Sequence, residues 1–303
     1  MVRRLLLTLL ALACLKLPGA QLLPLRSDAV VAFIGGAQMV AASQLGYLES
    51  ALTAATQFPP PRFRDFSWEG DTVFARPRPL NFPPLTNQLL RAGATVAVVQ
   101  FGQMESLAGA AALPEFLAAY ESLIKTVQSA GPAIVLLTPT RFEAAGPLGT
   151  DTARTRNEVL ALYVEGLRAL AERLQVPLID VSLPPRQGSP PTAGPTTDGV
   201  QLTAVGQRRV AELVVEAWGG GRLPDWAALE PVREAVIAKN DLWFRYRRPT
   251  NWAFLAGDRT DQPSSRDHRD RNIRWFPKEM EEYVPLIEAA DAKIAAQTKE
   301  ATR

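Results

Sequence analysis

The chain has 303 residues, of which 47% are hydrophobic and 21% are charged, and its net charge is +2. This composition is ordinary for a soluble globular protein, and the length allows one large domain or one domain with a sizeable appendage. The small net charge gives no basis for binding nucleic acid or an acidic membrane surface.

The first residues have the pattern of an export signal. Arg3 and Arg4 precede an apolar run over residues 5–15, and the small residues Gly19 and Ala20 follow. This order predicts a secretory signal over residues 1–20, and the apolar run is too short to span a bilayer comfortably. We therefore predict an exported protein, periplasmic or extracellular, with no transmembrane segment in its mature chain.

The only cysteine, Cys14, lies inside this predicted signal. A lipoprotein-type site usually has a large aliphatic residue where Ala11 stands, so lipid anchoring at Cys14 is not expected. The mature chain would then contain no disulfide. With a single histidine as well, the chain offers few ligands for zinc or iron, and we expect neither a metal site nor a cofactor.

Short apolar runs alternate with amphipathic ones as far as residue 218, which is typical of a parallel α/β sheet. The short runs predict five strands, at residues 29–34, 62–67, 95–101, 133–137 and 177–181. The amphipathic runs, with Pro or Gly near several of their ends, predict helices at residues 42–55, 85–91, 114–129, 155–174 and 203–218. We assign these elements to one domain over residues 26–220.

The composition changes after three consecutive glycines, Gly219 to Gly221. Residues 226–303 hold four of the six tryptophans and the sole histidine. Helices are predicted at residues 229–239 and 279–298, and strands are too few for a second α/β domain. We predict that residues 221–303 form a mostly helical or irregular extension packed on the main domain. Its aromatic side chains suit anchoring better than stacking on sugar rings, although both uses are open.

Four segments at the predicted strand ends resemble the motif blocks of SGNH/GDSL hydrolases. Residues 33–37 read Phe-Ile-Gly-Gly-Ala where these enzymes have Gly-Asp-Ser, and residues 102–105 read Gly-Gln-Met-Glu where they have Gly-x-Asn-x. Residues 198–202 read Asp-Gly-Val-Gln-Leu where they have Asp-x-x-His. The sequence from Trp68 to Val73 resembles the block whose glycine contributes to the oxyanion hole, and that glycine maps to Gly70.

This resemblance covers residues 29–218 and implies a three-layer, flavodoxin-like α/β fold with five parallel strands. It places Ala37 at the nucleophile position, Met104 at the position of the oxyanion asparagine and Gln201 at the position of the base. A methyl group cannot attack a carbonyl carbon, a thioether cannot donate a hydrogen bond, and an amide is not a base near neutral pH. The chain therefore resembles a degenerate member of the family.

The retained residues allow both a binding and a structural interpretation. Asp198 could contribute to a cleft, or it could form a turn with Gly199 or cap the next helix. Gly70 could remain only because its turn needs a positive φ. We predict a degenerate binding cleft and no catalytic residues, with five positions at the cleft: Ala37, Gly70, Met104, Asp198 and Gln201.

The resulting hypothesis is a catalytically inactive pseudo-esterase that binds an ester, an acylated carbohydrate or a protein partner. Two alternatives stay open. One is an active ester hydrolase with a rearranged site, in which His268 faces Ser43, Ser67 or Ser106. The other is a structural or interaction protein of an exported assembly, in which the extension is the contact surface.

Overall fold

The computed structural model describes residues 22, 24–182 and 194–302, so the predicted signal with Cys14 lies outside the described residues. Five strands form one all-parallel sheet in the order β2-β1-β3-β4-β5, which is the strand order of flavodoxin-like folds. They are β1 (Val30–Gly35), β2 (Arg62–Asp65), β3 (Val96–Gln100), β4 (Ala133–Leu137) and β5 (Leu178–Ile179). The five predicted strands and the predicted fold class are confirmed.

Helices cover both faces of the sheet and complete three layers. One face carries α1 (Ala37–Leu45), α2 (Tyr47–Ala55) and α6 (Ala204–Ala217). The other face carries α3 (Leu85–Ala92), α4 (Leu113–Gln128) and α5 (Thr150–Leu174). Every residue of β1 is buried, as expected for a central strand covered on both sides, and this explains its continuous apolar sequence.

The helix predicted over residues 42–55 is instead two helices, separated at Gly46. The φ angle of Gly46 is 73°, a left-handed conformation that glycine adopts readily, and its N–H donates to the Ala42 carbonyl to end α1. A Cβ atom at this position would lie 3.1 Å from Ile237 and 3.3 Å from Arg233. The break therefore also makes room for the C-terminal part of the chain.

The C-terminal part, called the arm here (residues 221–303), is helical as predicted. It contains α7 (Trp226–Arg247), α8 (Trp252–Leu255), α9 (Trp275–Glu281) and α10 (Tyr283–Ala301). The helix α7 continues past its predicted end at residue 239 and packs on α1, α2 and β2, while α10 packs on α7. None of the helices in the described residues combines the length and the apolar character needed to cross a membrane.

A buried polar network joins the arm to the sheet domain. Lys239 on α7 is fully buried, and its Nζ donates to Glu49 Oε2 at 2.9 Å, to the Phe63 carbonyl at 3.0 Å and to Asn240 Oδ1 at 2.6 Å. Asn240 Nδ2 in turn donates to the Ser43 carbonyl at 3.0 Å. Burial lowers the pKa of Lys239, and the facing carboxylate of Glu49 counteracts that shift.

Candidate functional site

A cleft of about 240 Å³ opens at the carboxyl edge of the sheet. Chain segments that follow parallel strands collect at this edge, where open α/β folds bind their ligands. The lining residues are 36–38, 69–72, 100–105, 139–140 and 200–201. All four segments that resemble hydrolase motif blocks therefore contribute to one cleft.

Ala37 enters the cleft as the first residue of α1, directly after two glycines. A Cβ atom on Gly35 would lie 2.8 Å from the Gln100 carbonyl oxygen, and one on Gly36 would lie 2.8 Å from the Asp71 carbonyl oxygen. The glycine pair is thus required by close packing of the chain after β1 against its neighbours. At the nucleophile position, the only side-chain group is the methyl of Ala37.

Met104 lies at the edge of the cleft with 53% of its surface exposed. It follows a tight turn at Gly102, whose φ is 122° and where a Cβ atom would lie 3.2 Å from Pro139. A short 3₁₀ helix, Glu105–Ala108, comes next. The position of an oxyanion donor therefore presents a thioether to the cleft.

Gln201 lines the cleft, whereas Asp198 does not. Asp198 Oδ1 accepts the N–H groups of Val200 at 2.9 Å and Gln201 at 2.7 Å, so its carboxylate shapes the turn that carries Gln201. Gly199 in this turn has a φ of 86°. The turn interpretation of Asp198 is confirmed, while the helix cap is Thr203, whose Oγ1 accepts the Gly206 N–H at 3.3 Å.

Gly70 also lines the cleft, but its predicted positive φ is wrong. Its backbone lies outside the left-handed region, and a Cβ atom there would meet nothing within 4 Å. Neither backbone strain nor close packing therefore requires glycine at this position. Of the five predicted site positions, four line the cleft together, and Asp198 supports one of them.

Among the described residues, the charged ones that line the cleft are all acidic, and none of them was predicted as a site residue. The Asp71 carboxylate receives two hydrogen bonds from Arg78, both at 2.6 Å, and Glu69 pairs with Arg248 at 2.8 Å. Glu105 accepts the N–H groups of two loops, as described next. Glu105 follows Met104 directly, and burial of a carboxylate so close to a motif position cannot be deduced from one sequence.

Glu105 joins the second and third motif segments. Its Oε1 accepts the Val73 N–H at 3.0 Å, and its Oε2 accepts the Gly102 N–H at 2.8 Å. An ionised carboxylate is a strong acceptor for backbone N–H groups, so these bonds fix the distance between the two loops. The side chain acts as a structural bridge within the cleft.

A chain of side-chain amides links the remaining segments. Gln38 Nε2 donates to Gln103 Oε1 at 3.2 Å and also to the Val200 carbonyl, and Gln103 Nε2 donates to the Thr140 carbonyl at 3.0 Å. These bonds connect the segments of Ala37, Met104 and Gln201. The cleft is therefore held by side chains that occupy none of the mapped catalytic positions.

The described residues of the lining include no Ser, Cys, Lys or His, and the hydroxyls among them are those of Thr72 and Thr140. The Thr140 hydroxyl accepts a hydrogen bond from Gln103 at 3.2 Å, and the Thr72 hydroxyl accepts the Ala75 N–H at 3.1 Å. Neither hydroxyl has an imidazole at the cleft to remove its proton. Among the described lining residues, neither hydroxyl is therefore paired with a base of the kind that serine-type acyl transfer uses.

His268 is exposed and lies outside the cleft lining, as do the three serines considered for a rearranged site. Ser67 Oγ donates to Asp65, and Ser106 Oγ donates to the Gln103 carbonyl at 2.7 Å. The structure therefore does not bring His268 and a serine together at this cleft. Within the described residues, no group of three His, Cys, Asp or Glu side chains could hold a metal ion.

The fold and the cleft define an SGNH-type α/β hydrolase scaffold. The sequence model of the GDSL-like lipase/acylhydrolase family matches residues 31–209, and the chain belongs to this family. A comparison with curated proteins found no match.

Solved structures provide a comparison at the level of the fold. The chain is similar to a GDSL-like lipase from Bacteroides thetaiotaomicron, with a TM-score of 0.45 and 15% identity over 65% of this chain and 90% of that one. It is also similar to an acetylxylan esterase from Geobacillus stearothermophilus, with a TM-score of 0.43 and 16% identity over 65% of this chain and 97% of that one. At these identities the likeness concerns the fold alone.

Proposed function

We propose that the protein is a non-catalytic member of its family, which binds a small neutral ester or acylated carbohydrate in the cleft and does not cleave it. A neutral ligand is favoured because each carboxylate at the cleft is already paired or hydrogen-bonded, and no Lys or Arg stands among the lining residues that the structure describes. The volume lies below the roughly 300–1,000 Å³ of typical small-molecule pockets, which favours a small ligand.

One observation carries this proposal: Ala37, Met104 and Gln201 meet at a single cleft, in place of nucleophile, oxyanion donor and base. Loss of a nucleophile or base lowers the rate of such enzymes by ~10⁴–10⁶, and loss of one oxyanion donor lowers it by ~10²–10³. The losses are not additive, but together they remove every step in which a proton or an acyl group is transferred.

The test is an assay of hydrolysis beside an assay of binding. We expect purified protein to hydrolyse p-nitrophenyl acetate no faster than buffer, and acetylated xylotriose or triacetin to raise the unfolding temperature by mass action. Ala37→Phe should fill the cleft and abolish the ligand-dependent rise, whereas Ala161→Phe, on the exposed face of α5, should preserve it. Turnover that disappears in His268→Ala would support the rearranged enzyme instead.

We also propose that the protein is exported, which rests on the basic, apolar and small residues of the predicted signal over residues 1–20. The mass of the protein recovered from its native compartment tests this. We expect a mature chain that begins after Ala20 in a periplasmic or extracellular fraction. A full-length chain in the cytoplasm would contradict the proposal.

A further inference from the structure

The arm reaches the wall of the cleft that contains Gly70. Trp68, at the start of this wall, has three guanidinium groups near its ring. The Cζ atoms of Arg248, Arg78 and Arg247 lie 3.8 Å, 4.3 Å and 5.5 Å from the ring centroid. Arg248 belongs to the arm and follows α7 directly. A planar guanidinium can stack on an indole and pair with a carboxylate at the same time.

The guanidinium groups of Arg248 and Arg78 also bind carboxylates on either side of Gly70. Arg248 Nη2 donates to Glu69 at 2.8 Å, and Arg78 binds both oxygens of Asp71 at 2.6 Å. Glu69, Gly70 and Asp71 are consecutive lining residues of the cleft. The stack on Trp68 therefore fixes three neighbouring positions of the wall.

The arm is itself bonded to the backbone where this wall begins. Trp243 Nε1 donates to the Asp65 carbonyl at 2.7 Å, and Arg247 Nη2 donates to the Ser67 carbonyl at 2.8 Å. Burial lowers the pKa of Arg247 to about 10, so its guanidinium is still charged at neutral pH. The end of α7 and the adjoining Arg248 therefore bind the chain at Asp65, Ser67 and Glu69, between the end of β2 and the cleft.

We propose that Arg248, together with Arg78, is a positioning residue of the cleft, and that docking of the arm sets the shape of the wall around Gly70. Ligand binding in the cleft then depends on the arm, although none of the described residues of the arm lines the cleft. The positioning of the wall stands on the contacts above. Only its effect on ligand binding rests on the proposed function.

Hydrogen exchange on the full-length chain tests the positioning of the wall without any ligand. The reporters are the N–H groups of Asp71, Thr72 and Val73, which donate to the Trp68 carbonyl, to the Ala75 carbonyl and to Glu105, each at 3.0 Å. We expect Arg248→Ala to raise their exchange about tenfold. Arg248→Lys, which keeps the charge but loses the planar stack, should give an intermediate rise.

The matched control is Arg245→Ala, because Arg245 lies on the same end of α7, is exposed and pairs only with Asp241 on its own helix. This variant should leave exchange at the wall unchanged. If Arg248 only stabilised the fold as a whole, Arg248→Ala would raise exchange in β3 as much as at the wall. That outcome, or equal exchange at the wall in both variants, would overturn the proposal.

Binding of triacetin and acetylated xylotriose to the same variants tests the dependence on the arm. We expect Arg248→Ala to weaken binding at least fivefold and Arg245→Ala to leave it unchanged. Equal binding by wild type and Arg248→Ala would overturn the dependence and leave the proposed function intact. If neither compound binds wild type while the wall still responds in exchange, the proposed ligand class fails and the positioning role stands.

Discussion

The cleft and the interface beneath the arm both bury polar side chains. They differ in whether the key side chains carry charges that need a partner. At the interface, Lys239 donates to three acceptors in a fully buried position, and Glu49 is the carboxylate that balances its charge. At the cleft, the positions mapped to catalysis are a methyl, a thioether and a half-buried amide. Removing Glu49 or Lys239 would leave the other charge buried and unpaired. Substitution at the three mapped cleft positions leaves no charge unpaired.

The side chains that hold the cleft together, called its frame here, are therefore different from those at the mapped catalytic positions. Gln38, Gln103 and Glu105 hold the cleft segments together, and none of them stands at a mapped catalytic position. Substitution of the side chains at the mapped positions would therefore leave those bonds in place. The following changes test each half of the comparison, in order of the expected effect.

The largest effect is expected at the interface. Glu49→Leu leaves the Lys239 ammonium buried without its carboxylate, and we expect the free energy of unfolding to fall by ~3–5 kcal/mol in urea titrations. As a control, Glu165→Gln breaks the exposed pair with Arg168 and should cost no more than ~1 kcal/mol.

The same pair offers a second variant with the opposite expectation. In Glu49→Leu/Lys239→Met both charges are absent, and we expect most of the lost stability to return because no unpaired charge stays buried. A double variant as unstable as Glu49→Leu would show that the hydrogen bonds to Phe63 and Asn240 matter more than the charge balance.

Reconstitution of the cleft is the next prediction. In Ala37→Ser/Met104→Asn/Gln201→His the three groups return to a cleft whose frame is intact, and Asp198 still shapes the turn at residue 201. We expect hydrolysis of p-nitrophenyl acetate at least ~10²-fold above wild type, since a positioned base contributes ~10²–10⁴ and an oxyanion donor ~10²–10³ once a nucleophile is present. Ala37→Ser alone should stay inactive because no base is present.

A folded triple variant without activity would contradict the preserved frame. Wild-type unfolding temperature and an unchanged fold would establish that the variant is folded. The separation between frame and chemistry would then fail at the cleft, and the distances between the motif segments would have to differ from those of active enzymes.

Glycine positions at the cleft provide a smaller, paired test. Gly36→Ala places a Cβ atom 2.8 Å from the Asp71 carbonyl oxygen, and we expect a loss of ~1–3 kcal/mol in stability. Gly70→Ala meets nothing within 4 Å and needs no left-handed backbone, so we expect a change below ~1 kcal/mol, in the stabilising direction. Equal losses in both variants would show that the cleft backbone is uniformly tight.

The sequence was sufficient for the sheet because each strand is a short apolar run that differs from its surroundings. It was also sufficient for four of the five predicted cleft positions, since the motif segments follow β1, β2 and β3 and precede α6, whereas Asp198 does not line the cleft. The break at Gly46 was missed because a single glycine is also tolerated inside a helix, so the sequence does not show that this one takes a left-handed φ and ends α1. The roles of Glu105 and Arg248 were missed because their partners are set by tertiary packing.

The smallest effect concerns the ion pair between the arm and the wall. Partial burial is the largest single influence on Glu69 and raises its pKa, but the hydrogen bond from Arg248, a backbone hydrogen bond and the charges of Arg248 and Arg247 together outweigh it, so the pKa in the folded protein lies below the ordinary ~4.3. The pair therefore contributes its stability above the ordinary pKa, and this contribution is lost as the pH falls through the lowered value. Because half of the Glu69 side chain is exposed, we expect less than ~1 kcal/mol.

An NMR titration of the Glu69 carboxyl carbon measures this shift directly. We expect a midpoint below ~4.3 in wild type and in Arg245→Ala, and a higher midpoint in Arg248→Ala, where the donor is absent. A midpoint that is the same in wild type and Arg248→Ala would mean that the pair is not formed in solution. The wall would then be held by Arg78 and by the bonds from α7 side chains to the backbone carbonyls as far as Ser67. The arm would not fix the position of Glu69.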